Sequence, residues 1–469
     1  MATDPTKDRL LVGNCLTTLK NLPDDSIDSI VTDPPYEIGF MGKGWDSTGI
    51  AYNVELWKEC LRVLKPGGHL LSFGATRSYH RMAVAIEDAG FEIRDSIHWT
   101  YGSGFPKSMN ISKAIDKQAG AERKVVGFRD VPDQRGGRIN SEATAENGVQ
   151  TRNVPITTPA TKAAKQWDGW GTALKPSHEP IVVARKPFDG TVADNVQQHG
   201  TGAINIDATR VGTETITING QGNDNLFHGN FSGEIDNPTR TGRFPANTLL
   251  THNYDCQQTG TTSQTVVTTS GKGFAGSFEG GTNDNGGAAQ TFSSPTWSCT
   301  PSCPIELLDQ QQEEVSRFFH NSQWSVADDL TPFIYQAKPG KKERNAGLEA
   351  LPEKTNKFGN QRNGEDLGNG SVNDKFTTEP SKNFHPTVKP VELMRYLIKM
   401  VTPPNGVVLD PFLGSGTTAV AATLEGYAWK GCELTEEYLP IIKGRITWAV
   451  AEKKKQDKKA KQLTLEEQE

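Results

Sequence analysis

Apolar residues fall into two blocks of short, alternating patterns separated by a long polar stretch. In the first block, Arg9–Val12 is a short apolar run, Cys15–Leu22 has helical spacing, and Ser29–Thr32 reads as a buried strand running into Asp33. Residues 51–64 place Leu56, Cys60, Val63 and Leu64 on one helical face, and Pro66-Gly67-Gly68 stops that helix. His69–Phe73 is the next strand and Arg77–Ala89 the next helix, closed by Gly90. The second block repeats the alternation. Pro390–Val401 is a helix, Gly406–Leu409 a strand entering Asp410, and Ser415–Leu424 a helix. Ala428–Cys432 is a strand entering Glu433, and Glu436–Val450 a final helix. Strand–helix–strand repetition predicts an α/β sheet.

The stretch between the blocks has another character. Residues 190–300 are rich in Gly, Asn, Thr and Ser and hold a single lysine, so loops and short surface hairpins are expected there. Residues 340–384 are similar. The chain therefore divides into 1–113, an inserted region 114–383, a second half 384–450, and a charged tail 451–469.

Composition narrows the classes. No run of about 18 apolar residues exists, which excludes a membrane-spanning helix. Met1–Gly13 is polar and mixed in charge, unlike a secretory signal. The six cysteines lack a disulfide framework's spacing and point to a reducing compartment. His252, Cys256, Cys299 and Cys303 do not have the usual zinc spacing; they are read as structural, with no metal. A net charge of −6 speaks at first against a nucleic-acid partner. Yet residues 101–189 carry 14 basic and 9 acidic side chains, and phosphate contact needs only a local basic face.

Three motifs carry the chemistry. Asp33-Pro34-Pro35-Tyr36 ends a predicted strand, where open α/β sheets hold ligands. Two prolines stiffen the backbone and remove two N–H donors, so the Asp33 carboxylate and the carbonyl of Pro34 can only accept. Paired acceptors suit an exocyclic amine, and Tyr36 offers a stacking face. Asp410-Pro411-Phe412-Leu413-Gly414-Ser415-Gly416-Thr417-Thr418 joins a strand to a helix. Its glycines allow close approach and its helix start offers free N–H groups, while Glu433 ends the next strand at the distance of a ribose-binding acid. The absence of a lysine in this loop disfavours a triphosphate. His385-Pro386-Thr387-Val388-Lys389-Pro390 sets a rigid turn whose Lys389 can pair a carboxylate. Taken singly, each motif also has a plain reading: a turn, a helix start, a tight loop.

Together, the three resemble the DNA amino-methyltransferases, which methylate adenine N6 or cytosine N4, in the circularly permuted β-type order. The resemblance covers residues 9–110 and 384–449. It implies a Rossmann-like S-adenosylmethionine-dependent sheet with an inserted target-recognition region. Phe412, Gly414 and Gly416, with Asp410, Ser415 and Thr417 around them, would form the cofactor loop. Glu433 would grip the ribose; His385, Thr387 and Lys389 would complete the pocket. Asn14-Cys15 would lie near the cofactor adenine, although Asp is commoner than Asn before that cysteine. Asp33, Pro34, Pro35 and Tyr36 would be catalytic, and Asp33 would also border the cofactor.

Asp before Pro-Pro-Tyr favours adenine, with cytosine N4 or a catalytically inactive DNA-binding relative as alternatives. Double-stranded DNA is the expected partner, with the base flipped out. Lys43 and Trp45, in the glycine-hinged loop after the catalytic motif, and Lys107 and Lys113 are expected to meet DNA. Trp45 would stack on or wedge beside the base. The resemblance is compatible with a restriction-endonuclease partner and with a bacterial or phage-infected cytoplasm. The oligomeric state stays open.

Overall fold

The structure is a computed structural model that describes residues 4–39, 44–101, 108–132, 151–217, 239–251, 257–267, 289–299, 303, 305, 310, 320–322, 339, 341–354 and 381–466. Its centre is a nine-stranded sheet. The strands are β1 (Leu10–Val12), β2 (Ile27–Thr32), β3 (Leu64–Phe73), β4 (Glu92–Thr100), β5 (His178–Arg185), β6 (Thr248–Thr251), β7 (His320–Ser322), β8 (Val407–Asp410) and β9 (Ala428–Glu433). Their spatial order is β1-β9-β8-β2-β3-β5-β4-β6-β7. All pairings are parallel except those of β5, which runs antiparallel between β3 and β4.

Buried strands alternate their side chains between two covered faces. Val31 and Leu71 point into a cluster with Leu397 and Val420, from helices α4 (Val391–Val401) and α5 (Thr417–Glu425). The long helix α6 (Leu439–Glu466) adds Ile442 and Ile446 to that face. Ile30 and Leu70 point the other way, against α1 (Cys15–Thr18), α2 (Val54–Val63) and α3 (Tyr79–Asp88). On α2, Leu56, Trp57, Cys60 and Val63 form the buried stripe, and Asn53 caps the helix by accepting from the Glu55 N–H.

Both sequence blocks therefore fold as the alternation requires. Two stretches differ from expectation. Residues 451–466 are not a separate tail but prolong α6. The region 114–383 gives the sheet β5, β6 and β7, so it is woven into the sheet as well as inserted. Antiparallel hairpins occur where the Gly/Asn-rich composition places them, Val211–Thr217 with Thr239–Arg243 and Gln257–Val267 with Ala289–Ser298. Within 190–300 there is also a helix, Val192–His199, opened by a Thr191–Asp194 capping box.

Candidate active site

The chain leaves β2 towards β3 on one side and leaves β8 towards β9 on the other. The gap beyond the carboxyl ends of these neighbouring strands is a topological switch point, where open α/β sheets bind ligands. A cavity of about 1220 Å³ opens there, lined by Asp33 to Tyr36 from one side and Asp410 to Ser415 from the other.

Asp410 fastens the gap. Its carboxylate accepts from the hydroxyls of Thr32 (2.6 Å) and Thr418 (2.5 Å) and from the Phe412 N–H (3.0 Å). Burial pushes its pKa up to about 6 against these hydrogen bonds. The loop then turns through Gly414 and Gly416, both at positive φ. A Cβ on Gly414 would meet His385 Nε2 at 2.9 Å, so glycine serves both conformation and space. Below the loop lies Arg445, a buried guanidinium. Its Nη1 donates to Ser415 O (2.9 Å), Ser415 Oγ (2.9 Å) and Thr417 Oγ1 (3.0 Å), and burial lowers its pKa to about 10.

Glu433 spends one lone pair of each oxygen on main-chain N–H groups, of Gly414 (2.7 Å) and Thr435 (2.7 Å). Glu433 also lines the cavity. Burial raises this carboxyl to about 7. Asn14 caps α1 through the Leu16 N–H, and both Asn14 and Cys15 line the cavity. His385 is stacked on Trp45 (6.2 Å between rings, 13°) and stands edge-on to Tyr438 (4.7 Å). Thr387 lines the same wall.

At the other end, Asp33 Oδ2 is paired with Lys389 Nζ at 2.6 Å, while Asp33 Oδ1 is buried without a hydrogen-bond partner. Lys389 is itself buried, 3.3 Å from Glu179 Oε2 and 3.1 Å from Tyr36 Oη. Tyr36 Oη donates to Glu179 Oε2 (2.6 Å), and Tyr101 Oη donates to Glu179 Oε1 (3.3 Å). Burial raises the Asp33 pKa; Lys389 opposes that rise and Glu179 adds to it. For Lys389, burial would lower the pKa, but the two carboxylates outweigh it and the net direction is up. Burial and the same carboxylates hold Tyr36 far above its usual range, so its hydroxyl keeps its proton.

Glu179, Tyr101 and Arg445 belong to no motif in the sequence. Glu179 reaches the site because β5 is antiparallel: its amino end lies at the carboxyl ends of the neighbouring strands, with Glu179 paired to Trp99. An acid just ahead of the buried Ile181–Ala184 run is the one local signal for it. Trp45 packs on the His385 wall, the side of the Gly414 loop. Lys113 is exposed on the helix Ile111–Gln118 and does not line the cavity. Lys43, Lys107, His252 and Cys256 lie outside the described residues. Among the described residues no cluster of three or more metal-ligating side chains occurs, and no helix is long and apolar enough to cross a membrane.

The model of the N6/N4 DNA methylase family matches residues 27–444. The chain belongs to this family. The family has a Rossmann-like α/β sheet, as found here, and uses S-adenosylmethionine. The type II methyltransferase M.HpaI of Haemophilus parainfluenzae is 33% identical over 117 residues, 23% of this chain and 36% of that one. M.ScaI of Streptomyces caespitosus is 45% identical over 65 residues, 14% of this chain and 21% of that one. The matched segments thus span well under half of these relatives. Among solved structures, an M1.HpyAVI–SAM complex has a TM-score of 0.35 at 14% identity, covering 93% of this chain and 98% of that one. The cytosine-N4-specific PvuII DNA methyltransferase has a TM-score of 0.36 at 11% identity, covering 93% and 85%.

The residues present suit the methyl donor. Glu433, a carboxylate on the cavity wall, is an acceptor suited to ribose hydroxyls. The Gly414 turn leaves main chain open to close approach. Arg344, on the same wall, has a buried Nε–H without a partner, a donor suited to a carboxylate.

Proposed function

We propose that this methylase transfers a methyl group to the N6 amine of an adenine flipped out of double-stranded DNA. The observation that carries the reading is Asp33: one carboxylate oxygen is paired with Lys389, the other is buried without a hydrogen-bond partner, and the residue lines the cavity. An unpaired buried acceptor costs about 1–3 kcal/mol, which an amine N–H would recover on binding.

S-adenosylmethionine, when bound, would supply a methyl group whose bond to the sulfonium sulfur breaks as the new N–C bond forms, leaving a neutral thioether. Asp33 Oδ1 accepts one N–H of the amine, and the carbonyl of Pro34 is the second acceptor. These bonds draw the nitrogen from planar towards tetrahedral and free its lone pair. Lys389 keeps Asp33 from turning, so the acceptor is aimed before the substrate arrives. As the new N–C bond forms, the amine carries one proton too many, and Asp33 Oδ1 takes it. Tyr36, whose hydroxyl is tied to Glu179 and Lys389, holds its ring as a stacking face. His385, Thr387, Asn14 and the Gly414 loop hold the donor, and Glu433 takes its ribose hydroxyls. Adenine is preferred over cytosine N4 on the resemblance of Asp33-Pro34-Pro35-Tyr36 to adenine enzymes.

The test is Asp33→Ala. Cofactor binding by calorimetry should match wild type, and methyl transfer to DNA should fall by about 10³-fold. Normal turnover in this variant would exclude the assignment.

A further inference from the structure

One loop stands at the cavity rim with an unusual combination of features. Leu174 lines the cavity and is 92% exposed, the most exposed large apolar side chain among the described residues. Its loop is pinned on both sides. Ser108 Oγ accepts from the N–H groups of Thr172 (3.0 Å) and Ala173 (3.3 Å), and the Tyr101 N–H donates to Ser177 O (2.8 Å). Asn110 and Gly171 form a β-bridge. Trp170, 59% exposed, packs edge-on against Trp167 just before it.

The surface beneath is basic. Lys113, Lys117, Lys124, Lys162, Lys165 and Lys175 are exposed there, against Glu122 and Asp168 as exposed acids. None of the six lysines forms an ion pair among the described residues. Asp116 is buried and spent internally, accepting from the N–H groups of Ala160 and Thr161 and pairing with Arg123 at 2.7 Å. That clamp joins the helix Ile111–Gln118 to the 160–177 segment, so the lysines and Leu174 ride on one platform.

We infer that this platform receives the DNA backbone and that Leu174 enters the duplex where the target base leaves it. The inference rests on the amine-methylation reading. A flipped base leaves a gap in the stack that costs a few kcal/mol, and an apolar wedge beside the receiving cavity recovers part of that cost. Unpaired lysines supply the sequence-independent attraction to phosphate.

Sequencing of DNA from cells expressing the protein would first locate the methylated site. A duplex carrying that site, with 2-aminopurine at the target position, is then the probe. Leu174→Ala should lose most of the 2-aminopurine fluorescence gain and lower kcat about tenfold, with duplex affinity within about threefold of wild type. A mismatch opposite the target, which makes flipping easier, should restore its kcat. Lys162→Glu with Lys165→Glu should do the reverse, weakening binding and reducing the slope of log K against log salt by about 2 while kcat at saturating DNA holds. A kcat of Leu174→Ala within twofold of wild type on the matched duplex would overturn the wedge, whatever happens to affinity. Absence of methylation by the wild type would instead overturn the function on which it rests.

Discussion

At the residue scale, the site is the Asp33 carboxylate paired with a buried lysine, Lys389, that also meets the Glu179 carboxylate, and its pH response follows from those charges. In the proposed mechanism Asp33 acts ionised, so the rate should fall as pH drops through its pKa, which burial sets above the ordinary value of about 3.9. Lys389→Met removes the charge that lowers this pKa, so the acid limb of kcat should move to higher pH. Glu179→Gln removes a charge that raises it, so the limb should move to lower pH, with cofactor affinity unchanged in this variant. Limbs that coincide with wild type would show that neither residue acts through Asp33. Asp33, Tyr36 and Lys389 were legible because proline-flanked polar residues advertise rigid chemistry. Glu179 and Tyr101 were not, since each is one polar side chain in an apolar strand context, and only the sheet brings them together.

At the element scale, the strand-to-helix loop between β8 and α5 depends on conformation as much as on contacts. Gly414→Ala places a Cβ at positive φ, costing about 1–2 kcal/mol, and presses it on His385. Calorimetry should show cofactor binding weakened tenfold or more, with little change in DNA affinity. Arg445→Leu would leave Ser415 O, Ser415 Oγ and Thr417 Oγ1 without their shared donor. Its expected signature is a lower Tm together with weaker cofactor binding; a variant equal to wild type in both would mean the loop holds itself. The glycines were readable from the sequence by their spacing. Arg445 was not, because it is one of several basic residues in a helical pattern and nothing local marks it as the buried one. Most elements of both terminal blocks were readable within a few residues, since each carries its own periodicity and stops; the last helix, which runs on to Glu466, was not.

At the scale of the whole molecule, an acidic chain carries a basic face, and the two coexist because phosphate senses only the nearest charges. DNA binding should therefore weaken steeply between 50 and 200 mM salt despite the formal charge of −6; a flat response in fluorescence anisotropy would argue against the lysine platform. The sequence divided the molecule into two α/β halves around an insertion, and the sheet joins those halves as expected. What it could not give was β5, the antiparallel strand drawn from that insertion into the sheet, because pairing across so many residues leaves no local trace. That strand is also what delivers Glu179 to the site.

The most direct measurement is nucleoside mass analysis of DNA incubated with the purified protein and S-adenosylmethionine. N6-methyladenine is expected from the wild type and none above background from Asp33→Ala. N4-methylcytosine alone would change the base but keep the amine chemistry; no methylated amine from the wild type, or equal yields from both proteins, would contradict a methyl transfer carried by Asp33.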